Sequence, residues 1–270
     1  MALRSGPTKA FHHVEQGETP VAWWQRWFRF GTKQALAGKA VLLRDWTTAE
    51  LRFAEGTAQS RMLRYAPDRL LIDYTRTMLG ALLWVPKPTS VGMVGLGGGS
   101  QVKFLHRHLP SAKVEVFECD ADVVAMRERF RIPKDDSRLQ VVLGDAARCL
   151  SDRVAAYDLL LVDGYDARGI PAELSTQKFY NDCRNSLRAG GVLSANLYDT
   201  DHAQHIHRLK IAFGEANVRV LEEAQQSNRV AFARVPPLAN STGASALSAA
   251  GQKELAAVFD RVRNGLSAWN

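Results

Sequence analysis

The run Val91-Gly-Met-Val-Gly-Leu-Gly-Gly-Gly-Ser100 limits what this chain can fold into more than any other stretch. An apolar segment breaks into glycines, and a helix is expected to open at once over Gln101–His108. Glycine lets a backbone turn tightly and approach a ligand closely. The start of the following helix offers N–H groups with no partner inside the helix. Ordinary turns also use glycine, so the context decides. The next apolar run, Val114-Glu-Val-Phe117, ends in Glu118-Cys119-Asp120. Strand, glycine turn, helix, strand and terminal acid together make the nucleoside-binding half of a doubly wound α/β sheet. A carboxylate at Glu118 can accept from both vicinal hydroxyls of a ribose. The alternative is a surface acid at a strand end. Asp120 reads as the N-cap of a helix over Ala121–Phe130.

The rest of the chain supports a sheet of this kind. Strands are expected at Val91–Leu96, Val114–Glu118, Leu139–Leu143, Leu159–Asp163, Gly191–Leu197, Val218–Leu221 and Arg229–Arg234, with helices between them. The last two read as a closing antiparallel hairpin. Strand–helix alternation gives a mostly parallel, seven-stranded sheet covered on both faces, a class I methyltransferase-like Rossmann fold. Upstream, Val41–Leu43, Ala49–Phe53 and Ala58–Leu63 read as a small N-terminal β-meander. Asp68–Trp84 has helical spacing and is ended by Pro86 and Pro88. The first forty residues read as irregular apart from an aromatic-basic segment, Trp23–Phe30, which packs on the body or on a second subunit, the alternative being a membrane-surface or partner helix. Pro236–Ala249 reads as a loop and Gln252–Leu266 as a last amphipathic helix. The division expected is 1–66, an N-terminal segment with a small strand domain, and 67–270, a Rossmann-like catalytic domain.

Parallel sheets present ligands at the C-terminal ends of their strands. Here the third strand runs into Gly144-Asp145-Ala146 and the fourth into Asp163-Gly164-Tyr165-Asp166. One rim therefore collects Glu118, Asp145, Asp163 and Asp166 beside the glycine turn. Asp145 could accept from the exocyclic amine of an adenine, with the Ala146 N–H donating to a ring nitrogen. Its alternative role is N-cap of a helix over Ala146–Leu150. Asp163 and Asp166 are either site acids or a turn stabilised by Asp side chains.

Composition sets outer bounds. A chain of 270 residues, 46% hydrophobic and 23% charged, has ample material for a core. No apolar run approaches the ~20 residues that span a bilayer. Met1–Pro7 lacks the apolar centre of a signal peptide, and the three cysteines, Cys119, Cys149 and Cys183, form no metal pattern, so a reducing cytoplasm is expected. The net charge of +7 is spread along the chain without a dense basic run, which argues against specific nucleic-acid binding. His202, His205 and His207 have a superficially metal-like spacing, but 205 and 207 do not share a helix face, and no metal is expected. Cys119 reads as packing.

These words resemble the spermidine synthases and related polyamine aminopropyltransferases. The resemblance runs from about Gln59 to Leu197. It is carried by Tyr74 in Asp-Tyr-Thr-Arg-Thr-Met-Leu, Gly95-Leu-Gly-Gly-Gly-Ser100, Val116-Phe-Glu-Cys-Asp120, Gly144-Asp-Ala146, Val162-Asp-Gly-Tyr-Asp166, Leu174-Ser-Thr-Gln-Lys-Phe-Tyr180 and Leu187-Arg-Ala-Gly-Gly-Val192. It implies a nucleoside-sulfonium donor, decarboxylated S-adenosylmethionine, and a polyamine acceptor. By position, Gly95, Gly97, Gly98, Gly99 and Ser100 form the donor turn, with Cys119 and Ala146 beside it. Glu118 holds the ribose and Asp145 the adenine. Asp163 orients and deprotonates the attacking amine, Asp166 binds the cationic acceptor, and Tyr74, Tyr165 and Gln59 line the site. The catalytic set implied is Asp163, Asp166 and Tyr74. The family also implies an oligomer, taken here as a homodimer.

Three departures touch the donor's tail and the acceptor. The family usually carries an acid just after the glycine triplet, where this chain has Ser100. Gly164-Tyr165 separates the two acids in place of small hydroxyl residues, and Ala167 follows in place of proline. Asn196 stands where glutamine is frequent. The main reading is aminopropyl transfer. The alternatives are S-adenosylmethionine-dependent methyl transfer on the same scaffold, since Ser100 would better tolerate a donor that keeps its carboxylate, and a non-catalytic adenosyl-binding protein. A dehydrogenase is disfavoured because no nicotinamide-side His or Lys/Tyr pattern stands out.

Overall fold

The computed structural model describes residues 32–36, 40–53, 58–166, 169–198, 200–223, 228–237, 245–266 and 269. The Trp-rich segment at 23–30 and part of the 236–249 loop lie outside them.

The N-terminal sheet has four antiparallel strands in chain order: β1 (Thr32–Leu36), β2 (Ala40–Arg44), β3 (Thr48–Phe53) and β4 (Ala58–Leu63). The expected meander is present with one strand more. Thr-Lys-Gln-Ala-Leu shows no run of β-branched residues, and it is strand because β2 offers it an edge to pair with.

The second sheet has seven strands: β5 (Ser90–Val94), β6 (Lys113–Glu118), β7 (Leu139–Leu143), β8 (Tyr157–Val162), β9 (Leu187–Leu197), β10 (Val218–Glu222) and β11 (Arg229–Arg234). Their order is β10-β11-β9-β8-β5-β6-β7. β7, β6, β5, β8 and β9 are parallel, and β11 and β10 close the sheet antiparallel. The chain moves outward from β5 through β6 to β7, then returns to β8 on the other side of β5. That reversal opens a crevice above the C-terminal ends of β5 and β8.

The helices are α1 (Asp73–Met78), α2 (Ser100–His108), α3 (Ala121–Ala125), α4 (Ala146–Ser151), α5 (Gln177–Ser186), α6 (His202–Phe213) and α7 (Ala249–Gly265). Alternate residues of β8 feed two apolar layers. Leu159 and Leu161 join Val102, Phe104 and Leu255 on one face, while Leu160 and Val162 join Phe179, Tyr180 and Leu209 on the other. This is the period-2 alternation of a strand covered on both sides.

Two helices are shorter than their periodicity predicts. The Asp68–Trp84 helix becomes α1 followed by a 3₁₀ segment, Leu79–Leu83. Before α1, the Leu70 N–H donates to Glu254 Oε1 at 2.8 Å, so α7 satisfies it instead of a helical turn. The Ala121–Phe130 helix ends at Ala125 and continues as turns, and Arg131 takes a left-handed φ of 52°.

Candidate functional site

Gly95 closes β5, and its N–H donates to Phe117 O at 2.9 Å. Its φ is +89°, and a Cβ there would lie 2.2 Å from Asp163 O. Only glycine lets the ends of β5 and β8 approach this closely. Gly97 and Gly99 are also left-handed, and Gly99 is the N-cap of α2. Ser60 Oγ, from β4, accepts from the Gly98 N–H at 2.9 Å. The N-terminal sheet thus touches the glycine turn through a residue that sequence reasoning missed. The neighbouring Gln59 side chain lies outside the described residues.

Glu118, at the end of β6, is buried. Its Oε2 accepts from Leu96 N and its Oε1 from Asp120 N, both at 2.9 Å. Each oxygen keeps a second lone pair. The carboxylate therefore holds the glycine turn in place and can still accept from a ribose hydroxyl. Asp120 caps α3 by accepting from Asp122 N at 2.8 Å, as its position implied. Asp145 likewise caps α4: Oδ1 accepts from Ala147 N at 2.9 Å, leaving Oδ2 with Arg148 Nε 3.7 Å away. Ala146 begins α4 and is buried. Cys119, just past the end of β6, is exposed, which corrects the expectation that it packs. Partial burial and the Glu118 carboxylate push its thiol up, so it is a poor nucleophile near neutrality.

Asp163 sits just past β8, and its carboxylate is held from two sides. Tyr74 OH, from α1, donates to Oδ2 at 3.1 Å, and Asn196 Nδ2, near the end of β9, donates to Oδ1 at 2.9 Å. Asn196 Oδ1 in turn accepts from Asn228 Nδ2 at 2.8 Å. Burial raises the Asp163 carboxyl above the ordinary aspartate range, against these two hydrogen bonds, which lower it. Burial and the adjacent carboxylate push the Tyr74 hydroxyl far up, so it stays protonated and donates. Tyr165 OH donates to Asn196 O at 2.9 Å and accepts from Tyr198 N at 2.6 Å, tying the β8 loop to the end of β9. Asp166 is half-buried and bridges to Gly169 through backbone hydrogen bonds. Tyr74 and Asn196 are therefore brought together around the Asp163 carboxylate, with Tyr165 bonded to the Asn196 backbone. Asn228 directly precedes β11, and the β9–β11 register brings it beside Asn196.

Two histidines of α6, His202 and His205, serve the fold. His202 Nε2 lies 2.9 Å from Leu197 O, and buried His205 lies between Tyr180 OH (2.7 Å) and Thr200 Oγ1 (2.9 Å). Among the described residues there is no cluster of three His, Cys, Asp or Glu set to hold a metal ion, and no helix long and apolar enough to cross a membrane.

The family model of the spermine/spermidine synthase domain matches residues 73–242. This span takes in α1, the glycine turn and all four rim acids. The chain belongs to the spermine/spermidine synthase family. Within it, the chain is 33% identical over 193 residues to a polyamine aminopropyltransferase of Chromobacterium violaceum, covering 70% of this chain and 74% of the relative. It is 30% identical over 182 residues to a polyamine aminopropyltransferase of Neisseria meningitidis, covering 66% and 68% respectively. A crystal structure of a probable spermidine synthase from Corynebacterium glutamicum superposes with a TM-score of 0.64 at 17% identity, covering 86% of this chain and 89% of the other. That likeness confirms the fold, including the N-terminal strands and the methyltransferase-like sheet.

Proposed function

We propose that this chain is a transferase that moves an aminopropyl group from decarboxylated S-adenosylmethionine to a polyamine acceptor. The observation that carries the reading is the Asp163 carboxylate: half-buried, held by Tyr74 and Asn196, and set one strand from the glycine turn. The donor's sulfonium already activates the carbon beside it. The acceptor amine is protonated in water and must lose its proton to attack. The Asp163 carboxylate attracts the ammonium and takes that proton, and its raised basicity suits it to do so. The amine nitrogen then bonds to the methylene carbon, the carbon–sulfur bond breaks, and its electron pair leaves on sulfur as 5′-methylthioadenosine. Tyr74 and Asn196 fix the carboxylate so that nitrogen, carbon and sulfur can align. Glu118, the glycine turn from Gly95 to Ser100, Cys119, Asp145 and Ala146 would hold the nucleoside. Asp166 and Tyr165 would line the acceptor side, and Gln59 the donor side. The activity of the curated relatives supports this assignment. The division at residue 66 and a cytoplasmic setting, read from the sequence pattern and cysteine usage, and a homodimer, read from the resemblance, belong to the same proposal.

Ser100 favours one second reading, methyl transfer from intact S-adenosylmethionine, because no acid there would repel the donor's carboxylate. Incubation with each donor and a diamine, followed by mass spectrometry, separates the two. Aminopropyl transfer yields 5′-methylthioadenosine and a lengthened amine. Formation of S-adenosylhomocysteine from the intact donor, with no product from the decarboxylated one, overturns it.

A further inference from the structure

Lys103 lies on the buried face of α2 between Val102 and Phe104 and is 4% exposed. Its Nζ donates to Gly98 O at 2.8 Å and to Phe130 O at 2.9 Å. Phe130 lies near the end of the helical turns that follow α3, where a cation is favourable. Gly98 is therefore gripped from two directions: its carbonyl by Lys103 and its N–H by Ser60 Oγ. The turn needs such outside support. Gly97 and Gly99, on either side, are left-handed, and the three successive glycines carry no side chains to fix them. Burying an ammonium is costly, and here its partners are neutral carbonyls. The fold tolerates that cost at a loop the nucleoside is read to touch.

We propose that Lys103 is a positioning residue for the donor: its ammonium sets the Gly98 peptide group, and so the shape of the turn that receives the adenosyl ligand. This rests on the donor-site reading above. Burial pulls the Lys103 ammonium down to about 7, against the Asp68 carboxylate, which raises it. Asp68 faces it from the segment before α1. Arg107 and His108, further along α2, lie 3.3 and 3.4 Å from the same carboxylate, and His108 is also 2.7 Å from Ser248 Oγ. β4 and the turns after α3 bring the neutral groups of Ser60 and Phe130 to Gly98 and to the ammonium respectively. As pH rises through this range the amine loses its charge and one donor, the grip on Gly98 weakens, and ligand affinity falls.

The test is calorimetric titration of the full chain with 5′-methylthioadenosine, whose arm carries no charge, from about pH 6 to about pH 9. The wild-type Kd is expected to rise about tenfold across that range, as for a lost charge-assisted hydrogen bond. K103R, charged throughout, is expected to show a flat profile. K103M is expected to bind weakly at every pH. Thermal melts show whether each variant is folded, and should K103M fail to fold, K103R decides. A K103R profile that slopes as the wild type does overturns the proposal alone. No binding by the folded wild type overturns the donor-site reading, and the proposal with it.

Discussion

Asp163 carries two opposing influences: burial raises its carboxyl, while Tyr74 and Asn196 stabilise the ionised form. Removing either hydrogen bond therefore moves it further up. Tyr74→Phe is expected to shift the acid limb of kcat against pH toward higher pH, because the base must be ionised to act. A profile that stays in place, measured at saturating substrate, contradicts that role for Tyr74. Asp163→Asn keeps the size and loses the base. Turnover is expected to drop about 10²–10⁴-fold, the span of general-base catalysis, while affinity for 5′-methylthioadenosine stays within about twofold. At this scale the sequence was legible where a residue type announces its chemistry, as with the acids at the strand ends. Lys103 and Ser60 were not legible. A lysine in an amphipathic helix and a serine in a strand carry no sign of facing inward, and only packing puts both on the Gly98 peptide group.

Among the elements, the glycine turn has the least room. Gly95→Ala would force a side chain into a left-handed backbone and place Cβ 2.2 Å from Asp163 O. The cost is expected to exceed about 2 kcal/mol, read from the denaturant midpoint, with weakened nucleoside binding. An alanine variant as stable as the wild type would show that β5 and β8 do not meet as described. Strands were legible because β5 and β8 are buried on both faces and read as continuous apolar runs. Helix lengths were less so. The pattern over 68–84 records which residues are apolar, not which amides are bonded, and α7 takes the Leu70 amide that a longer helix would have used. β1 was invisible for the converse reason: its partner, not its composition, makes it a strand.

For the molecule as a whole, the buried groups predict how stability varies with pH. Asp45 is lowered from 3.8 to about 2: burial raises it, but hydrogen bonds from Thr47 and Thr48 outweigh that. Its contribution is present above 3.8 and lost as pH falls toward 2, which loosens the β2–β3 turn in acid. Lys103 acts in the other direction. Its folded value of about 7 lies below its free value of 10.5, so the unfolded chain holds more protons between them and stability rises with pH. The buried Cys183 thiol, pushed well above 9.0, opposes the trend beyond that point. Stability measured by urea unfolding is therefore expected to rise from pH 7 to pH 9 in the wild type and to lose that rise in K103M. A slope that K103M retains assigns it to other groups.

The same scale carries the central claim, that an acid-lined crevice beside a glycine turn receives a cationic sulfonium nucleoside. Asp163 and Asp166 follow β8 on the rim of that crevice and should repel a donor that keeps its carboxylate. Parallel titration of the full chain with decarboxylated and intact S-adenosylmethionine tests this most directly. The expected result is a Kd at least about tenfold lower for the decarboxylated donor, roughly the worth of one unfavourable charge contact. Equal or tighter binding of the intact donor would contradict it.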